Sequence, residues 1–156
     1  MNFGNISISE WKEAPPMDTG APMPSILSIE SDLFVSYIIS TENEKNELYA
    51  IVKFSGVMQH TFGYPNDEAL GAHPLYDSGL EFYSFNLVEN SPYLKELDDR
   101  NSSIFPEGKG MYCERFKHYI VTFHDETLEV IASSISYMTS ESAENSHEAI
   151  SKYLKH

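Results

Sequence analysis

Two short segments of this chain hold most of the side chains that could do chemistry. The first is Pro65-Asn66-Asp67-Glu68-Ala69-Leu70-Gly71-Ala72-His73-Pro74-Leu75-Tyr76, and the second is Phe123-His124-Asp125-Glu126-Thr127-Leu128-Glu129. Imidazole and carboxylate groups can pass a proton, bridge a polar ligand or hold a metal, and loops that gather them are common places for function. The candidate binding residues are therefore Asn66, Asp67, His73, Tyr76, His124 and Glu129. A two-residue turn at Asp125-Glu126 sets Thr122 opposite Glu129 and makes His124 its diagonal neighbour. Diagonal Cβ atoms lie ~7–8 Å apart, within reach of a bridging ligand or a hydrogen bond. His73 would be the third group, supplied by the loop. His118 shares a strand face with His124 but stands six residues away. At ~3.3 Å per residue the two are about 20 Å apart and cannot share one ion.

The same residues lack the spacings that define a reaction. There is no His-x-His, no His-Glu-x-x-His and no Cys-x-x-Cys, so no metal is expected. No glycine-rich phosphate loop and no Gly-x-Ser-x-Gly elbow occurs, so no cofactor is expected. Cys113 is the only cysteine and reads as a small packing residue rather than a nucleophile. A lone cysteine forms no internal disulfide, which suits a reducing compartment. The segment Met1-Asn2-Phe3-Gly4-Asn5 has neither a basic nor an apolar leader region, and no apolar run approaches the ~20 residues of a membrane helix. A cytoplasmic protein is expected.

A length of 156 residues points to one domain. Residues 1–31 read as an irregular arm, because four of eight prolines lie between Pro15 and Pro24. Ile6, Ile8 and Trp11 give that arm something to bury, so it should pack on the body. Leu33–Ile39 and Leu48–Phe54 read as strands of a hairpin joined by a polar turn at 41–46, with Gly56 a bend before a continuation from Val57 to Phe62. In the loop from Gly63 to Gly79, Asn66 or Asp67 is placed to cap one helical turn ended by Gly71. Leu80–Val88 alternates as a third strand. Ser91-Pro92 opens a short helix to about Asp98, with Ser91 as cap and Pro92 where its missing donor costs nothing. Asp99–Met111 reads as a loop. His118–Phe123 and Leu128–Tyr137 form a hairpin with Tyr119, Val121, Phe123, Leu128, Val130 and Ala132 inward. From about Glu141 a short amphipathic helix ends the chain, with Glu148 and Lys152 in the favoured order. No strand–helix–strand alternation appears. The fold class is α+β, mainly β, on an antiparallel sheet with short helices.

Charge then narrows the partners. Against 24 acidic residues there are 10 basic ones, two of them Arg, for a formal net charge of −14. Nucleic-acid affinity comes largely from cations on phosphates, and anionic membranes ask for the same charge, so neither is expected as a partner. A basic protein is the partner the field favours.

The loop 65–76 and the segment 123–129, together with Gly79-Leu80-Glu81-Phe82-Tyr83 and Glu89-Asn90-Ser91, resemble a group of small bacterial proteins of uncharacterised function, over about residues 60–132. The resemblance implies a bacterial cytoplasmic protein and carries no activity. The functional expectation is thus an acidic binding protein, an inhibitor or immunity-type cover for a basic partner. The alternative is a small enzyme or a small-molecule or metal-binding domain using His73, His124 and Glu129.

Overall fold

The computed structural model describes residues 5–40, 48–140 and 143–155. The polar turn expected at 41–46, the extreme N-terminus, the proposed start of the last helix at Glu141 and His156 lie outside them. In chain order the strands are β1 (Ser7–Glu10), β2 (Ser25–Ile29), β3 (Asp32–Ile38), β4 (Tyr49–Ser55), β5 (Gln59–Gly63), β6 (Phe85–Glu89), β7 (Lys117–Thr122), β8 (Thr127–Ala132) and β9 (Ser134–Ser140). The helices are α1 (Pro92–Ile104), α2 (Met111–Arg115) and α3 (Ser146–Leu154). All strand pairs are antiparallel, and they form two sheets, β1-β6-β7-β8-β5 and β2-β3-β4-β9. The mainly-β, antiparallel α+β class holds, with two sheets where one was expected.

Alternation builds the core between them. Leu33, Val35, Tyr37, Val52 and Phe54 of one sheet meet Phe85, Tyr119, Val121, Leu128 and Val130 of the other, all buried. Each outer face is covered as well. Helix α3 lays Ala149, Ile150 and Tyr153 on Phe34, Tyr49 and Ile51. It starts where Asn145 accepts a hydrogen bond from the Glu148 N–H, 2.9 Å, and Glu148 pairs with Lys152 at 3.1 Å as the charge order predicts.

Two long strands pass from one sheet to the other side by side. The predicted bend at Gly56 separates β4 from β5, and Ser133 separates β8 from β9, so Leu128–Tyr137 is two strands in two sheets. The Ser133 N–H donates to the Ser55 carbonyl at 2.9 Å, closing the corner. Gly56 has φ of +63°, and a Cβ there would lie 2.5 Å from Ser133 Oγ. Only glycine fits that approach.

The N-terminal arm is more regular than its prolines suggest. It supplies β1 and β2, an edge strand for each sheet, while the proline-rich stretch between them holds only an isolated bridge from Met17 to Ile39. The Tyr37 hydroxyl donates to the Pro15 carbonyl at 2.7 Å, which ties the arm to the core.

Three other expectations are corrected. Residues 80–84 are not strand: the buried Asn86 side chain accepts from the Glu81 N–H at 3.0 Å and donates to the Ile120 carbonyl at 3.0 Å, holding that segment as a loop. Helix α1 runs past Asp98 to Ile104. Asp98 is buried and accepts from the N–H groups of Gly110 and Tyr112 at 2.8 and 3.0 Å, so the polar stretch is the outer side of a packed helix pair. Finally, β7 and β8 turn at His124-Asp125, not Asp125-Glu126, because Thr122 pairs with Thr127 and the Phe123 N–H donates to the Glu126 carbonyl at 2.9 Å. The inward residues stay as predicted, but the facing residues shift by two. No helix among the described residues is long and apolar enough to cross a membrane.

Candidate functional site

The site lies on the outer face of the five-stranded sheet. Strand periodicity sends His118 and Ile120 of β7, and Glu129 and Ile131 of β8, to the side away from the sandwich core. Two covers share that face. The loop after β5 packs Leu70, Leu75 and Leu80 on Val88 and Ile120. Helix α1 packs Leu94 and Leu97 on Ile131, with Tyr93 and Tyr112 alongside. Where the covers meet they leave a cleft of about 340 Å³, walled by β5, the loop at His73–Leu75, Pro92 and Tyr93 of α1, and His118, Glu129 and Ile131 of the sheet.

Glu129 is the polar centre of this cleft. In the observed register Ile120 faces Glu129 and His118 faces Ile131, so His118 is the diagonal neighbour of Glu129. His118 Nε2 lies 3.0 Å from Glu129 Oε1, and His73 Nε2 lies 3.3 Å from Oε2. Both imidazoles are almost wholly buried, with side-chain exposures of 2% and 6%, while Glu129 keeps 34%.

The far side of each ring is held too. His73 Nδ1 accepts the Leu75 N–H at 3.0 Å, so the ring proton sits on Nε2 and points at the carboxylate. His118 Nδ1 lies 2.7 Å from Ser91 Oγ. That oxygen caps α1 by accepting the Leu94 N–H at 3.1 Å, so the His118 ring joins the helix cap to Glu129.

The electrostatics follow from that geometry. Burial is the largest single influence and would raise the Glu129 carboxyl, but the hydrogen bonds from His118 and His73, together with the charge attraction of the same two rings, outweigh it and bring the group down to about 2. Glu129 is therefore an anion across the physiological range. Such a carboxylate is a weak base, since proton transfer works best with a pKa near the working pH. Ser91 offers no nucleophile to the cleft. It is buried, its oxygen is engaged as the helix cap, and it does not line the cavity. A metal is no better served. Metal-bound Nε2 would force the His73 proton onto Nδ1, against the Leu75 N–H. Among the described residues no group of three or more His, Cys, Asp or Glu is arranged to hold a metal ion.

Of the six residues singled out by sequence, His73 and Glu129 meet in the cleft. The others go elsewhere. Asn66 accepts the Ala69 N–H at 3.0 Å, ahead of a 3-10 turn at Leu70–Ala72, so it shapes its own loop. Tyr76 packs beside that loop's apolar residues, its ring 6.2 Å from Phe82. Asp67 and His124 form a second cluster at the tip of the β7–β8 hairpin. The Tyr83 hydroxyl donates to Asp67 Oδ2 at 2.6 Å, and the Tyr83 and His124 rings stack with centroids 6.4 Å apart. His124 Nδ1 is 2.9 Å from the same oxygen, yet it is a buried nitrogen without an aligned hydrogen bond; the contact is one of charge proximity. The Tyr83 bond is the main reason the Asp67 carboxyl sits below its ordinary range, against a smaller effect of burial and with His124 adding to it.

His118 and Tyr93 were missed by sequence reasoning. His118 is too far along the strand from His124 to share a ligand with it, but the alternation that defines the strand puts it on Glu129's face. A larger cavity, about 640 Å³, lies between the arm and the start of α3, lined by Asp125, Glu126, Glu144 and His147 among others. It has no comparable convergence of fixed donors and acceptors. Compared with known protein families, curated proteins and solved structures, the chain matches none.

Proposed function

We propose that this chain is a binding protein rather than an enzyme, and that its ligand is a small molecule received in the cleft beside Glu129. The observation that carries the reading is the carboxylate itself: a fixed anion, oriented by two buried imidazoles, in a concave and mostly apolar site. Concave, mostly apolar sites with a few fixed polar groups are where small ligands bind. The test is chemical-shift mapping with a panel of small ring compounds bearing positive, neutral or negative substituents. Changes converging on His73, His118, Tyr93 and Glu129 support a ligand site. Changes confined to other surfaces count against it.

A second reading keeps the expectation of an inhibitor or immunity-type protein for a basic partner. Its support is the net charge of −14, which speeds encounter with cationic surfaces. Under this reading a partner captured from the source cell is basic, and its association slows as salt shortens the Debye length below about 8 Å. A salt-independent rate or an acidic partner would sink it.

A further inference from the structure

We propose that the cleft selects an organic cation, a protonated primary amine on a flat apolar body, with the ammonium against Glu129; this rests on the reading of the cleft as a small-ligand site. A carboxylate has about four lone-pair positions on its two oxygens. His118 takes one on Oε1 and His73 one on Oε2, which leaves acceptor capacity on both. Both imidazoles reach Glu129 through Nε2, one on each oxygen, so they orient the carboxylate from its two sides. Among the described residues no Lys or Arg lies within ion-pairing distance of Glu129; its pairs are the two imidazoles. The carboxylate thus keeps its open lone pairs in a recess with apolar walls from Pro74, Leu75, Pro92, Tyr93 and Ile131, and with Gln59, His60 and Thr61 of β5 along one side.

Glu129 is a third exposed, and the lone pairs that its imidazoles leave open accept most strongly from a cation that carries donors. An ammonium supplies both. An anionic ligand would meet Glu129 and the field of a chain at −14. The apolar walls call for a ligand body that leaves water, and the Tyr93 ring, 5.9 Å from that of His118, offers an aromatic surface beside the charge. The cleft volume of about 340 Å³ holds a compact ligand and not a long chain.

The experiment titrates the whole protein with three probes near neutral pH, read by calorimetry and by chemical shifts: benzylamine, its neutral counterpart benzyl alcohol, and butylamine, which mimics a lysine side chain. Benzylamine is expected to bind roughly tenfold or more tightly than the alcohol, the scale of one charge-assisted hydrogen bond. Glu129→Gln should erase that advantage. Thr61→Trp guards against a folding defect in the first variant. Thr61 is an exposed residue of edge strand β5 at the cleft wall, and the substitution fills the opening with the carboxylate intact, so it should remove binding of both ring compounds. Alcohol binding equal to amine binding, with shifts at Tyr93 and Ile131, overturns the cation and leaves a ligand site. Butylamine binding more tightly than benzylamine overturns the flat body and points to a lysine side chain of a protein. Amine shifts that Glu129→Gln leaves unchanged overturn the proposal as surface attraction. No shift at the cleft with any probe overturns both this proposal and the small-ligand reading.

Discussion

Glu129 and Asp67 are two carboxylates with imidazole neighbours, built from the same β7–β8 hairpin and the same covering loop, yet they do opposite work. Glu129 stands in mid-sheet, where two imidazoles with exposures of 2% and 6% hold it from either side. Asp67 stands at the hairpin tip, where His124 is 40% exposed and a tyrosine hydroxyl makes the short bond. The Asp67 N–H also donates to the His124 carbonyl at 3.0 Å. Asp67 is therefore a clasp that fastens the loop to the hairpin. Glu129 is fastened by others and turns its remaining face to a cavity. The lesson is that composition alone does not mark a site: what separates the two is which partner is fixed on its far side.

The largest effect that would break this contrast is on stability. His118→Ala removes a buried ring together with its hydrogen bonds to Ser91 Oγ and to Glu129. A cavity plus the lost bonds should cost about 3 kcal/mol in denaturant unfolding. His124→Ala, at a part-exposed corner, should cost about 1 kcal/mol or less. Equal losses would show that both clusters are structural to the same degree.

Acid should separate the clusters next. Glu129 has its folded pKa lowered, from the ordinary 4.5 to about 2. Its contribution is thus complete above about pH 4.5 and fades as pH falls toward about 2, because the unfolded chain then binds the proton first. The whole shift would correspond to ~3 kcal/mol. With 34% of the side chain exposed to solvent screening, about 1–2 kcal/mol is the expected share. Unfolding midpoints measured across that window should fall less steeply in Glu129→Gln. A wild-type slope unchanged by the substitution would mean that the imidazoles do not stabilise the anion.

Much of the framework behind this site was legible in sequence. Alternation in 118–123 and 128–132 assigned the inward faces, and Ser91-Pro92 marked the start of α1. The site itself was half legible. Glu129 and His73 were named, but a turn placed one residue late shifted the strand pairing by two, and so gave Glu129 to His124 in place of His118. Strand faces survive a two-residue shift because the side-chain period is two. Neighbours along a face do not. The sheet switch at Gly56 and Ser133 was out of reach for another reason: each segment reads locally as one continuous strand, and only the close approach of the two segments divides them between sheets. The covering helices were underestimated because Asp98, polar in sequence, is buried by its bonds to Gly110 and Tyr112.

The smallest expected effect tests the cause behind the contrast. Tyr83→Phe removes one hydroxyl and leaves the ring stacked on His124. The Tyr83 bond is the leading reason that Asp67 titrates low, and the same bond raises the Tyr83 phenol. Loss of the donor should therefore move the Asp67 carboxyl up toward its ordinary range, followed by carboxyl-carbon NMR through an acid titration. The sign follows from linkage: a bond to the charged form favours that form, so removing it makes protonation easier. Glu129 should not move, because its donors are on His73 and His118 and neither touches Tyr83 in the described bonding. An unmoved Asp67 would make His124 the group that governs it, and the two carboxylates would then be variations on one imidazole arrangement. A Glu129 that moved together with Asp67 would show that the loop couples the clasp to the cleft, with the hairpin tip setting how firmly His73 is held against Glu129.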